Sequence, residues 1–173
     1  MSEANTVDTG ALKQAFDRAL AQIRKDGIVT LSELKGMSEN DVEAIYAVGY
    51  NLASVGKYED AVKVFRGLVM LDHLEKKHWY GLGAVYQQLR DFEKASQAYR
   101  VCMFLDFFDP KPEFHCAECC LALGDEASAL GLLDVIEENA ARPEFKAEAE
   151  SAEYLARARK LREEIRSGGK ADQ

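Results

Sequence analysis

A small residue returns at a fixed interval through the middle of this chain. Gly49 and Gly83 lie 34 residues apart, Ala117 follows after another 34, and alanine stands twelve positions beyond each, at Ala61, Ala95 and Ala129. Two antiparallel helices approach closely only where the side chains at their crossing are short, and a single hairpin of this kind cannot bury its apolar face alone. The interval therefore predicts stacked helical hairpins, each completing the core of its neighbour. Other positions keep the same register with no gap: Ile45, Trp79 and Glu113; Val48, Leu82 and Cys116; Leu52, Tyr86 and Cys120; Tyr58, Phe92 and Glu126; Phe65, Tyr99 and Leu133.

This is the tetratricopeptide pattern, clear in two copies and degenerate in the third. It predicts an all-α fold: a superhelix of three hairpins with a helix before it and a capping helix after it. Residues 1–8 read as a disordered tail and 9–37 as an N-terminal helical segment. Leu12, Phe16, Leu20 and Ile23 recur there at helical spacing until Asp26-Gly27 stops them. The repeats occupy 38–141, in copies at about 42–75, 76–109 and 110–141, with paired helices at 39–55 and 58–71, 75–89 and 92–105, 111–123 and 125–139. Gly56 and Gly124 suit the tight turn inside a hairpin, whereas Leu89-Arg90-Asp91 in the second copy predicts a looser one. Pro143 opens the capping helix of 142–167, and 168–173 trail off as a second tail.

Composition narrows the function. Hydrophobic residues make up 47% and charged residues 30% of 173, too apolar for a largely disordered chain. The formal net charge of −8 excludes a nucleic-acid backbone as the main ligand, since such binding draws on clustered lysine and arginine. No apolar run approaches the roughly 20 residues that span a bilayer, and the polar start carries no signal sequence, so the expectation is a cytoplasmic protein without direct membrane insertion.

Chemistry is sparse. His115 and Cys116-x-x-Cys119-Cys120 invite a zinc site, but Cys116 and Cys120 fall on buried interhelical positions and Cys102 on another, so these thiols read as small core residues. His73, His78 and His115 belong to no catalytic motif: Asp72-His73 sets the corner between repeats and His78 reads as a solvated first-turn residue. No enzyme, cofactor or metal is expected.

In a stacked array the first helix of each pair lines the concave surface. Numbering the copies from Val42, Lys76 and Pro110 places Glu43, Tyr46, Tyr50 and Ala53, then Lys77, Tyr80, Gly81, Ala84, Gln87 and Gln88, then Lys111, Phe114, His115, Glu118 and Leu121 on that surface. Rings offer a large apolar contact at low entropic cost, so this groove suits an extended peptide, with Gln87 and Glu118 available to its backbone.

Tyr46-x-x-Gly49-Tyr50-Asn51, Gly56-Lys57-Tyr58-Glu59-Asp60-Ala61, Leu71-Asp72-His73, Gly81-Leu82-Gly83-Ala84 and Phe114-His115-Cys116-Ala117-Glu118-Cys119 together resemble the class II chaperones of bacterial type III secretion systems, the low-calcium-response-H tetratricopeptide family. The resemblance runs from about Leu34 to Ala147, with Cys116 and Cys120 replacing an expected alanine and leucine. It implies a cytoplasmic, bacterial chaperone that keeps hydrophobic translocator proteins soluble and secretion-competent by holding a Pro-x-Leu-x-x-Pro type segment in the concave groove. The groove residues it implies are Tyr46, Tyr50, Ala53, Tyr80, Ala84, Gln87, Phe114, His115 and Glu118. It also implies a homodimer when free, with Leu12, Phe16, Leu20 and Ile23 at the contact or packed onto the first repeat. The alternative is a general tetratricopeptide scaffold or co-chaperone reading a C-terminal peptide. Such clamps need basic side chains where Tyr46, Tyr50 and Gly81 stand.

Overall fold

Side-chain caps start most of the helices. In the computed structural model, which describes Gln14, Arg18, residues 30–142, Phe145 and residues 149–168, Thr30 and Ser38 form capping boxes with Glu33 and Asp41 to open α1 (Leu31–Leu34) and α2 (Glu39–Ser54). The three hairpins pair α2 with α3 (Tyr58–Leu71), α4 (Lys76–Gln88) with α5 (Phe92–Leu105), and α6 (Pro110–Ala122) with α7 (Glu126–Ala140). α8 (Ala149–Gly168) then packs on α6 and α7. No strand occurs among the described residues. Leu12, Phe16, Leu20, Ile23 and Pro143 lie outside them.

The corners between repeats are built twice in the same way. Asp72 and Asp106 end α3 and α5 and accept the N–H groups of Leu74 and Phe108, while Glu75 and Asp109 cap α4 and α6 by accepting those of Lys77 and Lys111. The Lys76 ammonium joins both corner aspartates of the second junction, 2.9 Å from Asp106 and 2.8 Å from Asp109. Burial works against its charge, but these two carboxylates win and push its pKa up to about 12.

Two expectations fail here. Arg90 adopts φ +60°, the same left-handed position that Gly56 (+76°) and Gly124 (+79°) hold in the other hairpins. The closing bond is equally short in all three, from Lys57, Asp91 and Asp125 N–H to the carbonyls of Leu52, Tyr86 and Cys120 at 2.9, 3.0 and 2.9 Å. The second turn is therefore as tight as its neighbours, because stacking on both sides fixes the helices that it joins. His78, in turn, is not solvated. It is 1% exposed, with Nδ1 3.1 Å from the Asp72 carbonyl, because the corner folds the first turn of α4 inward beneath Tyr46.

The core runs along the stack. Ala61, Phe65 and Leu68 of α3 meet Leu82 and Val85 of α4. Ala95 and Tyr99 continue into Cys116, Ala117, Cys120, Ala129, Leu133 and Ile136, and then into Tyr154 and Ala158 of α8. Full burial of a side chain such as Phe65 or Leu68 stabilises by about 1.5–3 kcal/mol. Cys102, Cys116, Cys119 and Cys120 are all buried and unbridged. Burial pushes the thiols of Cys102, Cys116 and Cys119 up to about 12, which keeps them protonated and inert. The small-core-residue reading of the cysteines thus agrees with their surroundings. Gly81 departs from its expected place: it is buried against the Phe65 ring rather than open to the concave side.

Candidate functional site

The first helices carry side chains in rows that run across the repeats. Glu43, Lys77, Lys111 and Glu150 form a charged row near the helix starts. Lys77 pairs with Glu43, and Lys111 lies 2.6 Å from Glu150 of α8. The two lysines also cover an aromatic row, with Lys77 5.3 Å from the Tyr46 centroid and Lys111 4.8 Å from that of Tyr80 and 6.0 Å from that of Tyr154.

Tyr46 and Tyr80 are both half-buried. Tyr46 meets Phe65 edge-on at 5.7 Å, and Tyr80 lies 5.6 Å from Tyr99 and 5.9 Å from His115. Each ring thus packs on the core and leaves part of its surface exposed. Tyr50 stands clear at 62% exposure, while Ala53 packs beside the Phe65 cluster and Ala84 is half-buried.

A polar chain links the second and third repeats. The Tyr99 hydroxyl donates to Gln87 Oε1 at 2.8 Å, and Gln87 Nε2 donates to Glu118 Oε2 at 3.2 Å. The same Glu118 oxygen meets His115 Nδ1 at 2.8 Å, and His115 Nε2 lies 3.1 Å from the Tyr154 hydroxyl. Burial raises the Glu118 carboxyl, but the contacts from His115 and Gln87 outweigh it and hold the group below the usual carboxylate range. At neutral pH it is an anion with one oxygen committed and the other, Oε1, turned to Arg157 at 3.8 Å.

Sequence reasoning counts Phe114 among the groove residues, and the structure buries its ring. Phe114 is only 4% exposed, edge-on to Tyr154 at 5.6 Å and covered by the Arg157 guanidinium at 4.4 Å. The capping helix supplies this cover. Tyr154 and Arg157 thus belong to the cluster around Phe114 and His115, and sequence reasoning missed them because they stand 39 positions beyond His115 and Glu118 rather than 34. The only signal was spacing: Glu150, Tyr154 and Arg157 repeat the intervals of Lys111, His115 and Glu118.

The chain matches the tetratricopeptide repeat family over residues 42–73 and 77–109. The degenerate third copy lies outside that match, yet it folds as the same hairpin. Low calcium response locus protein H of Yersinia pseudotuberculosis is 34% identical over 164 residues, covering 94% of this chain and 95% of that protein. This chain belongs to the low-calcium-response-H family. Solved structures similar to this chain include Pseudomonas aeruginosa PcrH in complex with the chaperone binding region of PopD, 36% identical, with a TM-score of 0.68 over 78% of this chain and 97% of that one. The Yersinia enterocolitica translocator chaperone SycD, in an alternative dimer, is 34% identical, with a TM-score of 0.66 over 76% of this chain and 96% of that one.

Proposed function

We propose that this chain is a cytoplasmic type III secretion chaperone that holds a hydrophobic translocator through an extended Pro-x-Leu-x-x-Pro type segment in the groove of its first helices. The observation that carries this reading is the row of half-buried rings, Tyr46 and Tyr80, which runs beside the polar floor of Gln87, His115 and Glu118. Translocators carry apolar segments that aggregate if left free. A stoichiometric binder keeps them soluble without nucleotide or catalysis, and ordering an extended client holds the affinity to a level from which release is feasible.

Tyr50 is the exposed edge of the site, and Ala53 and Ala84 leave room for client side chains. A homodimer in the free state is part of the proposal, by kinship with SycD. The charged row weighs against a clamp for C-terminal carboxylates, because Lys77 and Lys111 are already paired with Glu43 and Glu150.

Co-expression with translocators of the same secretion system, followed by purification and mass spectrometry, tests the reading. A soluble complex with a translocator is the expected result. Translocators that stay insoluble in the presence of this chain would overturn it.

A further inference from the structure

The arginines of α8 divide into two groups. Arg159 makes hydrogen bonds of 2.6–3.1 Å to Glu137, and Arg162 and Arg166 each reach Asp134 at 3.1 Å, so these three fasten α8 to α7. Arg157 faces the other way. Its guanidinium lies 4.4 Å from the Phe114 centroid and 4.8 Å from that of Tyr154, and it makes no hydrogen bond among the described residues. Its nearest acid is Glu118 Oε1 at 3.8 Å, too far for one. The side chain remains 41% exposed.

A guanidinium packed against aromatic rings can keep its N–H groups directed at its rim, where they await acceptors. Beside it, Glu118 Oε2 is occupied by His115 and Gln87, while Oε1 receives no hydrogen bond. A set of unfilled donors and an unfilled anionic acceptor therefore stand side by side at the third repeat. One residue of an extended chain presents its own N–H and C=O in the same direction, as it does toward a partner strand.

We propose that α8 is a fourth wall of the client groove and that Arg157 and Glu118 together pair the main chain of the client there, Arg157 donating to a carbonyl and Glu118 accepting an N–H. This rests on the chaperone reading above and adds a residue and a ligand group to it. The parallel offset of Lys111–Glu150, His115–Tyr154 and Glu118–Arg157 gives the wall its register, since all three pairs meet along one seam between α6 and α8. Recognition at this end is of backbone, so it tolerates different client side chains, while the Tyr46 and Tyr80 end reads apolar anchors.

The test is a titration of the purified full chain with a short fluorescent peptide centred on a Pro-x-Leu-x-x-Pro segment. Arg157→Met keeps a long apolar stem over Phe114 but removes the donors, and Tyr46→Ala is the reference for the other end. Arg157→Met is expected to lower affinity about tenfold, the scale of one lost charge-assisted pair, with the melting temperature unchanged. An ester in place of the paired peptide amide should weaken wild-type binding but leave the Glu118→Ala variant, which has no side-chain acceptor, little affected; equal wild-type affinity for ester and amide would overturn the pairing by Glu118. Wild-type affinity in Arg157→Met alongside weakened binding in Tyr46→Ala would overturn the fourth wall and leave the chaperone reading intact. Absence of binding by the wild-type chain would remove both.

Discussion

The ring of Phe65 closes on Gly81 so tightly that a Cβ added there would meet ring carbons at 2.8 Å or less. Phe65 comes from the second helix of the first repeat and Gly81 from the first helix of the next, so this contact sets how closely two repeats stack. Gly81→Ala is expected to destabilise the fold by about 2 kcal/mol, the cost of an overpacked site less the gain in helix propensity. Gly67 on α3 meets nothing within 4 Å, and Gly67→Ala should instead stabilise by about 0.5–1 kcal/mol. Urea unfolding of both variants decides: a neutral Gly81→Ala would mean that Phe65 has room to move.

Arg90 occupies a turn position that glycine fills in the other two hairpins. A side chain in the left-handed region carries a steric penalty, so Arg90→Gly should raise stability by about 1 kcal/mol. The variant also loses the contact of Arg90 with the Phe92 ring, 6.0 Å from its centroid, which trims the gain only slightly. Thermal melts of the two proteins measure the difference, and a lower melting temperature for Arg90→Gly would show that the ring contact matters more than the backbone.

Much of the fold was legible because stacked hairpins impose one period on the whole chain. The six repeat helices lie within one residue of the limits that spacing gives, since Gly49, Gly83 and Ala117 can sit only at crossings. Local reasoning failed where a neighbouring repeat decides. His78 has the sequence position of a solvated first-turn residue, but the preceding corner covers it. Phe114 has the register of Tyr46 and Tyr80, but Tyr154 and Arg157 of α8 lie over its ring and bury it. Glu150, Tyr154 and Arg157 stand 39 positions beyond Lys111, His115 and Glu118 rather than 34, so the repeat period alone leaves α8 as a charged cap.

Glu113 holds the register position of Trp79, at the edge of a 260 Å³ hollow also lined by Arg100, Met103, Val135 and Asn139. It is 3% exposed with Oε2 unpartnered, and burial raises its carboxyl well above the usual range. The folded chain therefore keeps a proton that the unfolded chain has released, and stability falls as pH rises from the ordinary carboxylate range toward the raised folded value. Glu113→Gln removes this penalty. The variant should melt higher than wild type at pH 7, with the gap narrowing as pH falls through the ordinary carboxylate range, below which both states of the wild-type chain are protonated. Equal melting temperatures across that range would place a counter-charge beside Glu113.

Tyr46 and Phe114 share a register but not a role, and alanine separates them. Tyr46 is half-buried, anchored edge-on to Phe65 at 5.7 Å with the rest of its surface free for a client under the proposed function. Tyr46→Ala is expected to lower affinity for a proline-rich translocator peptide by about ten- to a hundredfold, the range of an interface hot spot, with helix content unchanged. Phe114 sits under Arg157 and against Tyr154, so Phe114→Ala opens a cavity in the core and costs about 3–5 kcal/mol of stability. Binding and unfolding measured on both variants distinguish a groove residue from a supporting one. Wild-type affinity in Tyr46→Ala would remove the aromatic row from the client site, and an unaltered melting temperature in Phe114→Ala would show that α8 does not hold that ring.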